Sequence, residues 1–79
     1  MDYKIGSIVR SNAGHDSGNV FVVVKIDEKY VYICDGKERP VERPKRKNPK
    51  HLTCTKSIID EEHLQTNRKL KKALSQYKA

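Results

Sequence analysis

The chain has 79 residues and a net charge of +7, from 17 Lys and Arg against 10 Asp and Glu. That length holds one small domain, and with 35% apolar and 34% charged residues its core must be small, which excludes a large enzyme pocket. No apolar run approaches the roughly 18 residues of a membrane span, and Met1-Asp2-Tyr3-Lys4 lacks the apolar stretch of a signal peptide, so a cytoplasmic protein is expected.

Core and charge lie in different stretches. Residues 1–36 hold 11 of the 18 Ile, Leu, Val and Phe, with four cations against five acids. Ser7-Ile8-Val9-Arg10 predicts a short strand. Asn12 to Asn19 is rich in Asn, Gly, Asp and Ser, which is turn chemistry. Val20 to Ile26 is the strongest strand signal. Strict alternation puts Val20, Val22, Val24 and Ile26 on one face and Phe21, Val23 and Lys25 on the other. Asp27-Glu28-Lys29 predicts a hairpin connection. Tyr30 to Cys34 is the returning strand, with Val31 and Ile33 facing opposite to Tyr30, Tyr32 and Cys34, and Asp35-Gly36 is a turn.

The next stretch, residues 37–51, is basic. Residues 37–50 hold seven cations (Lys37, Arg39, Arg43, Lys45, Arg46, Lys47, Lys50) against Glu38 and Glu42. Pro40, Pro44 and Pro49 restrict this stretch to an edge strand or an extended loop, with Val41 as its one strong apolar anchor. His51-Leu52-Thr53-Cys54 predicts a last short strand, which closes a β unit at residues 1–56. Residues 57–79 form a C-terminal extension. Its Ser57–Gln65 part reads either as a capped helix start or as a packed bridge. Beyond it, Leu70, Ala73, Leu74 and Tyr77 recur at helical spacing and predict a helix at about 67–77, capped by Thr66 or Asn67.

Most candidate chemistry reduces to ordinary structure. The loop Gly14-His15-Asp16-Ser17-Gly18 lacks the Lys of a phosphate-binding loop and precedes a strand, so nucleotide hydrolysis is not expected. His15, Asp16 and Ser17 are too close in the chain to converge as a catalytic set. Cys34, His51, Cys54 and His63 match no common zinc spacing, and the two cysteines read as reduced, packed thiols. Tyr30, Tyr32 and Phe21 are candidates for stacking bases, weighed against half-exposed aromatic packing. Tyr3 and Tyr77 read as packing residues at the chain ends.

The run Arg43-Pro44-Lys45-Arg46-Lys47-Asn48-Pro49-Lys50 is the sharpest feature. It sets five cations in eight residues with no acid between. Such density costs self-repulsion unless a polyanion relieves it, and the prolines hold the charges along a semi-fixed path. Nucleic-acid binding is the function this pattern predicts. A nuclear localisation signal has similar composition. Arg68, Lys69, Lys71 and Lys72 add a basic helix surface, either solvated or in contact with RNA.

Gly6-Ser7-Ile8-Val9-Arg10-Ser11, Ala13-Gly14, Gly18 and Val22-Val23-Val24-Lys25-Ile26 together resemble the KOW motif, a strand, a glycine-bearing loop and a second strand. Asp35-Gly36-Lys37, Pro44-Lys45-Arg46-Lys47-Asn48 and Lys50-His51-Leu52 narrow the likeness. They resemble small bacterial KOW-domain RNA-binding proteins, similar in turn to the archaeal and eukaryotic large-subunit ribosomal protein numbered fourteen. The likeness spans about residues 5–55. Phe21 stands where many KOW sequences carry a third glycine. The resemblance implies a mainly β, small SH3-like barrel of KOW type with a C-terminal α-helix, binding structured RNA. Ribosomal RNA or the large ribosomal subunit is the implied partner.

The expected contacts are the loop, with Arg10, Asn12, Gly14, His15, Ser17 and Gly18, and the segment Arg43, Lys45, Arg46, Lys47, Asn48, Lys50 and His51. The five segment cations would neutralise phosphates. Asn48 and His51 would hydrogen-bond bases or sugars. The glycines would shape the loop, and Asn12, His15 and Ser17 would offer donors. The expected protein is a non-catalytic monomer linked to translation, with no cofactor, metal, membrane or small-molecule substrate. Two alternatives are a protein-interaction module using Tyr30 and Tyr32 and a basic accessory protein associated with DNA or transcription.

Overall fold

The structure, a computed structural model, describes residues 3–12 and 18–77. Its five strands are β1 (Ser7–Ser11), β2 (Val20–Ile26), β3 (Val31–Cys34), β4 (Lys45–Lys47) and β5 (Leu52–Ile58). Short 3-10 turns at Pro49–His51 and Glu61–Leu64 precede β5 and the single helix α1 (Asn67–Ser75). Every pairing is antiparallel, and the strand order is β4-β3-β2-β1-β5. The chain is therefore mainly β with one C-terminal helix, as the sequence predicts.

Chain connectivity forces this sheet to curl. β4 and β5 are its two edges, about 19 Å apart in a flat sheet with strands about 4.8 Å apart. Only residues 48–51 join them, and three of these are in a 3-10 turn that rises only about 2 Å per residue. Even fully extended, the link from Lys47 to Leu52 reaches only about 18 Å. The sheet bends to bring the edges together, yet among the described residues no ladder joins β4 to β5. The expected barrel is thus a curled, open sheet. Tyr3 fastens the corner, its hydroxyl 3.1 Å and 3.0 Å from the carbonyl oxygens of Pro49 and Leu52.

The middle of β2 is buried on both faces of the sheet, which explains why Phe21, Val22 and Val23 are consecutive core residues. Val9, Phe21, Val23, Val31, Ile33 and Leu52 form one cluster, with Tyr3 and Ile26 against it. That cluster draws on four strands and no helix, so it is the inside of the curl. Ile8, Val22 and Cys34 face the other way and are covered by Ile59 and Leu70. The predicted helix face is the one that packs: Ala73, Leu74 and Tyr77 lie against the same cluster as Leu70. Thr66 caps the helix, its hydroxyl accepting from the Lys69 amide at 3.2 Å.

Three expectations change. First, β2 does not alternate strictly. Val23 pairs with Ile33 but Lys25 pairs with Tyr32, so one extra residue, Val24, sits in a bulge. The bulge moves Ile26 to the inner face with Phe21 and Val23, and puts Lys25 on the outer face beside Tyr32. Second, the last strand is longer than residues 51–54. It runs Leu52–Ile58, through a register shift against β1 and a left-handed Lys56 at φ 72°, while His51 belongs to the preceding turn. Ser57 thus lies in β5, and of the two readings of residues 57–65 the packed bridge is the one found, with Ile59 buried against Leu70. Third, the helix ends at Ser75, with Gln76 as its C-cap.

Candidate nucleic-acid interface

The basic segment folds as an edge strand and a turn. β4 pairs with β3 as Ile33↔Lys45, Tyr32↔Arg46 and Val31↔Lys47. Side chains alternate along a strand, so the segment's cations are not all on one face. Arg46 stands exposed on the outer face with Tyr32. Lys45 and Lys47 lie on the side of Val31 and Ile33 and are half-buried. Their methylene stems suit that position. Arg43 is exposed on the preceding turn, whose amide donates to the Pro40 carbonyl at 2.9 Å. Lys50 is exposed on the 3-10 turn.

Asn48 holds the turn that precedes β5. Its Oδ1 accepts from the Lys50 amide at 2.9 Å and caps the turn, so this oxygen shapes the path of the segment. His51 is exposed, and its carbonyl accepts from the Asn12 amide at 2.8 Å. The Thr53 hydroxyl donates to Asn12 Oδ1 at 2.9 Å. Gly18 closes the other side of the loop base, its amide donating to the Ser11 carbonyl at 2.9 Å. It holds φ at +86°, a left-handed value that suits glycine. Arg10 is half-buried on β1 opposite Thr53, and its Nε is buried with no hydrogen-bond partner among the described residues.

The structure thus brings Arg10, Asn12 and Gly18 to the start of β5, where the basic segment ends. Gly14, His15 and Ser17 lie outside the described residues.

Pairs of cations and aromatic rings on the outer face are the feature that sequence reasoning missed. The Arg46 guanidinium lies 4.7 Å from the centre of the Tyr30 ring. The Lys25 ammonium lies 5.3 Å from the centre of the Tyr32 ring. Such contacts hold a cation over the negative face of a ring. The tyrosines were legible as a pair. Their cations were not, because Lys25 reaches this face only through the bulge at Val24, and Arg46 only through the β3–β4 register.

Asp27 orders the adjoining turn. Its Oδ1 accepts from the Lys29 amide at 2.9 Å and the Tyr30 amide at 2.7 Å, and its Oδ2 accepts from the Tyr32 hydroxyl at 3.1 Å. Backbone donation, from Tyr30 first and then Lys29, holds the Asp27 carboxyl below its ordinary value. The same carboxylate raises the Tyr32 phenol, which stays a donor.

Among the described residues, no three His, Cys, Asp or Glu side chains gather as a metal site, and no helix is long and apolar enough to cross a membrane. Cys34 and Cys54 are free thiols. No protein-family model and no curated protein matches the chain.

Proposed function

We infer that this domain is a non-catalytic RNA-binding module that recognises structured RNA through one continuous surface that wraps round the β4 edge, with cations on both sides of it. That surface runs from the loop base at Arg10, Asn12 and Gly18, over Lys50 and His51, to Arg43, Lys45, Arg46 and Lys47 on and beside the sheet edge. The observation that carries this reading is the bond from the Asn12 amide to the His51 carbonyl. It joins the two segments that the sequence singles out separately, so their donors and cations can follow one phosphate backbone. Backbone amides and cations position a nucleic acid, and RNA is recognised mainly by shape, 2′-hydroxyls and unpaired bases. The likeness to KOW proteins supports ribosomal RNA as the partner and translation in the cytoplasm as the setting.

The test is charge reversal at cations that carry no core packing. Arg43→Glu, Arg46→Glu and Lys50→Glu together should abolish binding to ribosomal RNA fragments and leave the fold intact by circular dichroism. Unchanged affinity in the folded triple variant would refute the reading.

A further inference from the structure

Beside the β2–β3 turn lies a groove of about 370 Å³ lined by Asp27, Glu28, Lys29, Tyr30 and Arg46. That volume is at the small end of ligand sites, the scale of a single base rather than a duplex. We propose that this groove seats one unpaired nucleobase with an amino edge, guanine best of all; the inference rests on the RNA reading above.

The chemistry comes from what each lining residue has left to offer. Arg46 is exposed and already lies 4.7 Å from the Tyr30 ring centre. A guanidinium plane held this way is itself a stacking surface, so a base can complete a Tyr30–Arg46–base stack. Asp27 is committed to the turn, through the amides of Lys29 and Tyr30 and the hydroxyl of Tyr32. Glu28 is the second carboxylate in the groove and is exposed at the tip of the turn. A carboxylate repels phosphate but accepts from base N–H groups. The N1–H and N2–H pair of guanine matches its two oxygens, as a bidentate donor does. Glu28 therefore selects a base edge where a purely cationic groove would select phosphate. Lys29, next to it, is exposed on the same groove and would supply a cation for the phosphate of that nucleotide.

The test uses one RNA stem in three forms: closed by an all-uridine loop, closed by the same loop with one guanine, and as a loop-free duplex. Anisotropy at about 100 mM salt, where phosphate contacts still contribute, measures affinity for each. Wild type should prefer the guanine loop over the uridine loop. Arg46→Lys keeps the charge and removes the plane. It should cost the guanine loop about tenfold, within the range of base stacking, and leave the duplex unchanged. Glu28→Gln should erase the preference for guanine. If wild type binds all three RNAs equally, or Arg46→Lys weakens loop and duplex alike, Arg46 acts only as phosphate charge. The base seat then falls while the RNA reading stands. Absence of binding to any of the three at about 50 mM salt would overturn both.

Discussion

At the scale of single residues, the two cysteines show how placement decides chemistry. Cys34 is fully buried beneath α1, and burial first, then the nearby Asp35 and Glu42, pushes its thiol up to about 12. Only the thiolate is nucleophilic, so at neutral pH Cys34 should be inert to a disulfide reagent until the protein unfolds. Cys54 is only half-buried on β5 and should react first. Counting one fast and one unfolding-limited thiol checks this, and two fast thiols would contradict it. The shift also has a sign for stability. From about pH 9, where the unfolded chain's thiol ionises, up to about 12, the folded protein should lose stability.

Asp27 works in the opposite sense. Its folded value lies below the ordinary 3.8, so its contribution is full above about pH 4 and is lost as the pH falls through the folded value. Asp27→Asn should therefore destabilise the turn at neutral pH, and the difference from wild type should shrink in acid. Denaturant melts of both proteins across that range measure it.

At the scale of elements, the basic segment is held to the rest of the fold by the start of α1. The Val41 amide donates to Asn67 Oδ1 at 2.7 Å, and Asn67 Nδ2 donates to both Glu42 oxygens at 2.9 Å. Asn67→Ala removes these bonds and leaves the part-buried Val41 amide unsatisfied. We predict a loss of about 1–2 kcal/mol in chemical denaturation, with the largest amide shifts in residues 41–43.

Gly36 shows the same junction from the backbone side. It holds φ at +78°, and a Cβ there would meet the Asn67 carbonyl oxygen at 2.6 Å and the Lys71 amide nitrogen at 3.1 Å. Both are helix backbone and cannot swing aside. Gly36→Ala should cost about 1–3 kcal/mol by lifting α1 from the sheet, and an unchanged melting temperature would refute that packing. The third element-scale prediction concerns β5. Lys56 takes a left-handed conformation that costs an L-residue roughly 1–2 kcal/mol. Lys56→Gly should raise stability slightly, by about 0.5 kcal/mol after the larger entropy that glycine loses on folding.

At the scale of the whole molecule, most of the architecture was legible because strand and helix periods leave different marks. Alternation in residues 20–26 and 31–34, and the Leu70–Ala73–Leu74–Tyr77 face, marked the strands and the helix, and Thr66 is one of the two cap candidates that the sequence offers. Long-range pairing decided the rest. Strict alternation cannot reveal that Val24 is an extra residue, and so it misplaced Lys25 and Ile26. Ser57 and Asp60 look like a helix start, but pairing of Ser7 with Ile58 draws Ser57 into β5. The basic segment stood out as charge, but its division between two faces, and the place of Arg46 over Tyr30, follow from its register against β3.

The central claim is that loop base and basic segment form one surface for RNA. A salt titration of binding to a ribosomal RNA fragment, with duplex DNA of matched length alongside, tests it most directly. Neutralising about five phosphates predicts a fall in affinity of roughly 10²–10³ between about 50 and 200 mM salt, with RNA preferred throughout. A flat salt dependence, or equal affinity for RNA and DNA at every salt concentration, would contradict the account.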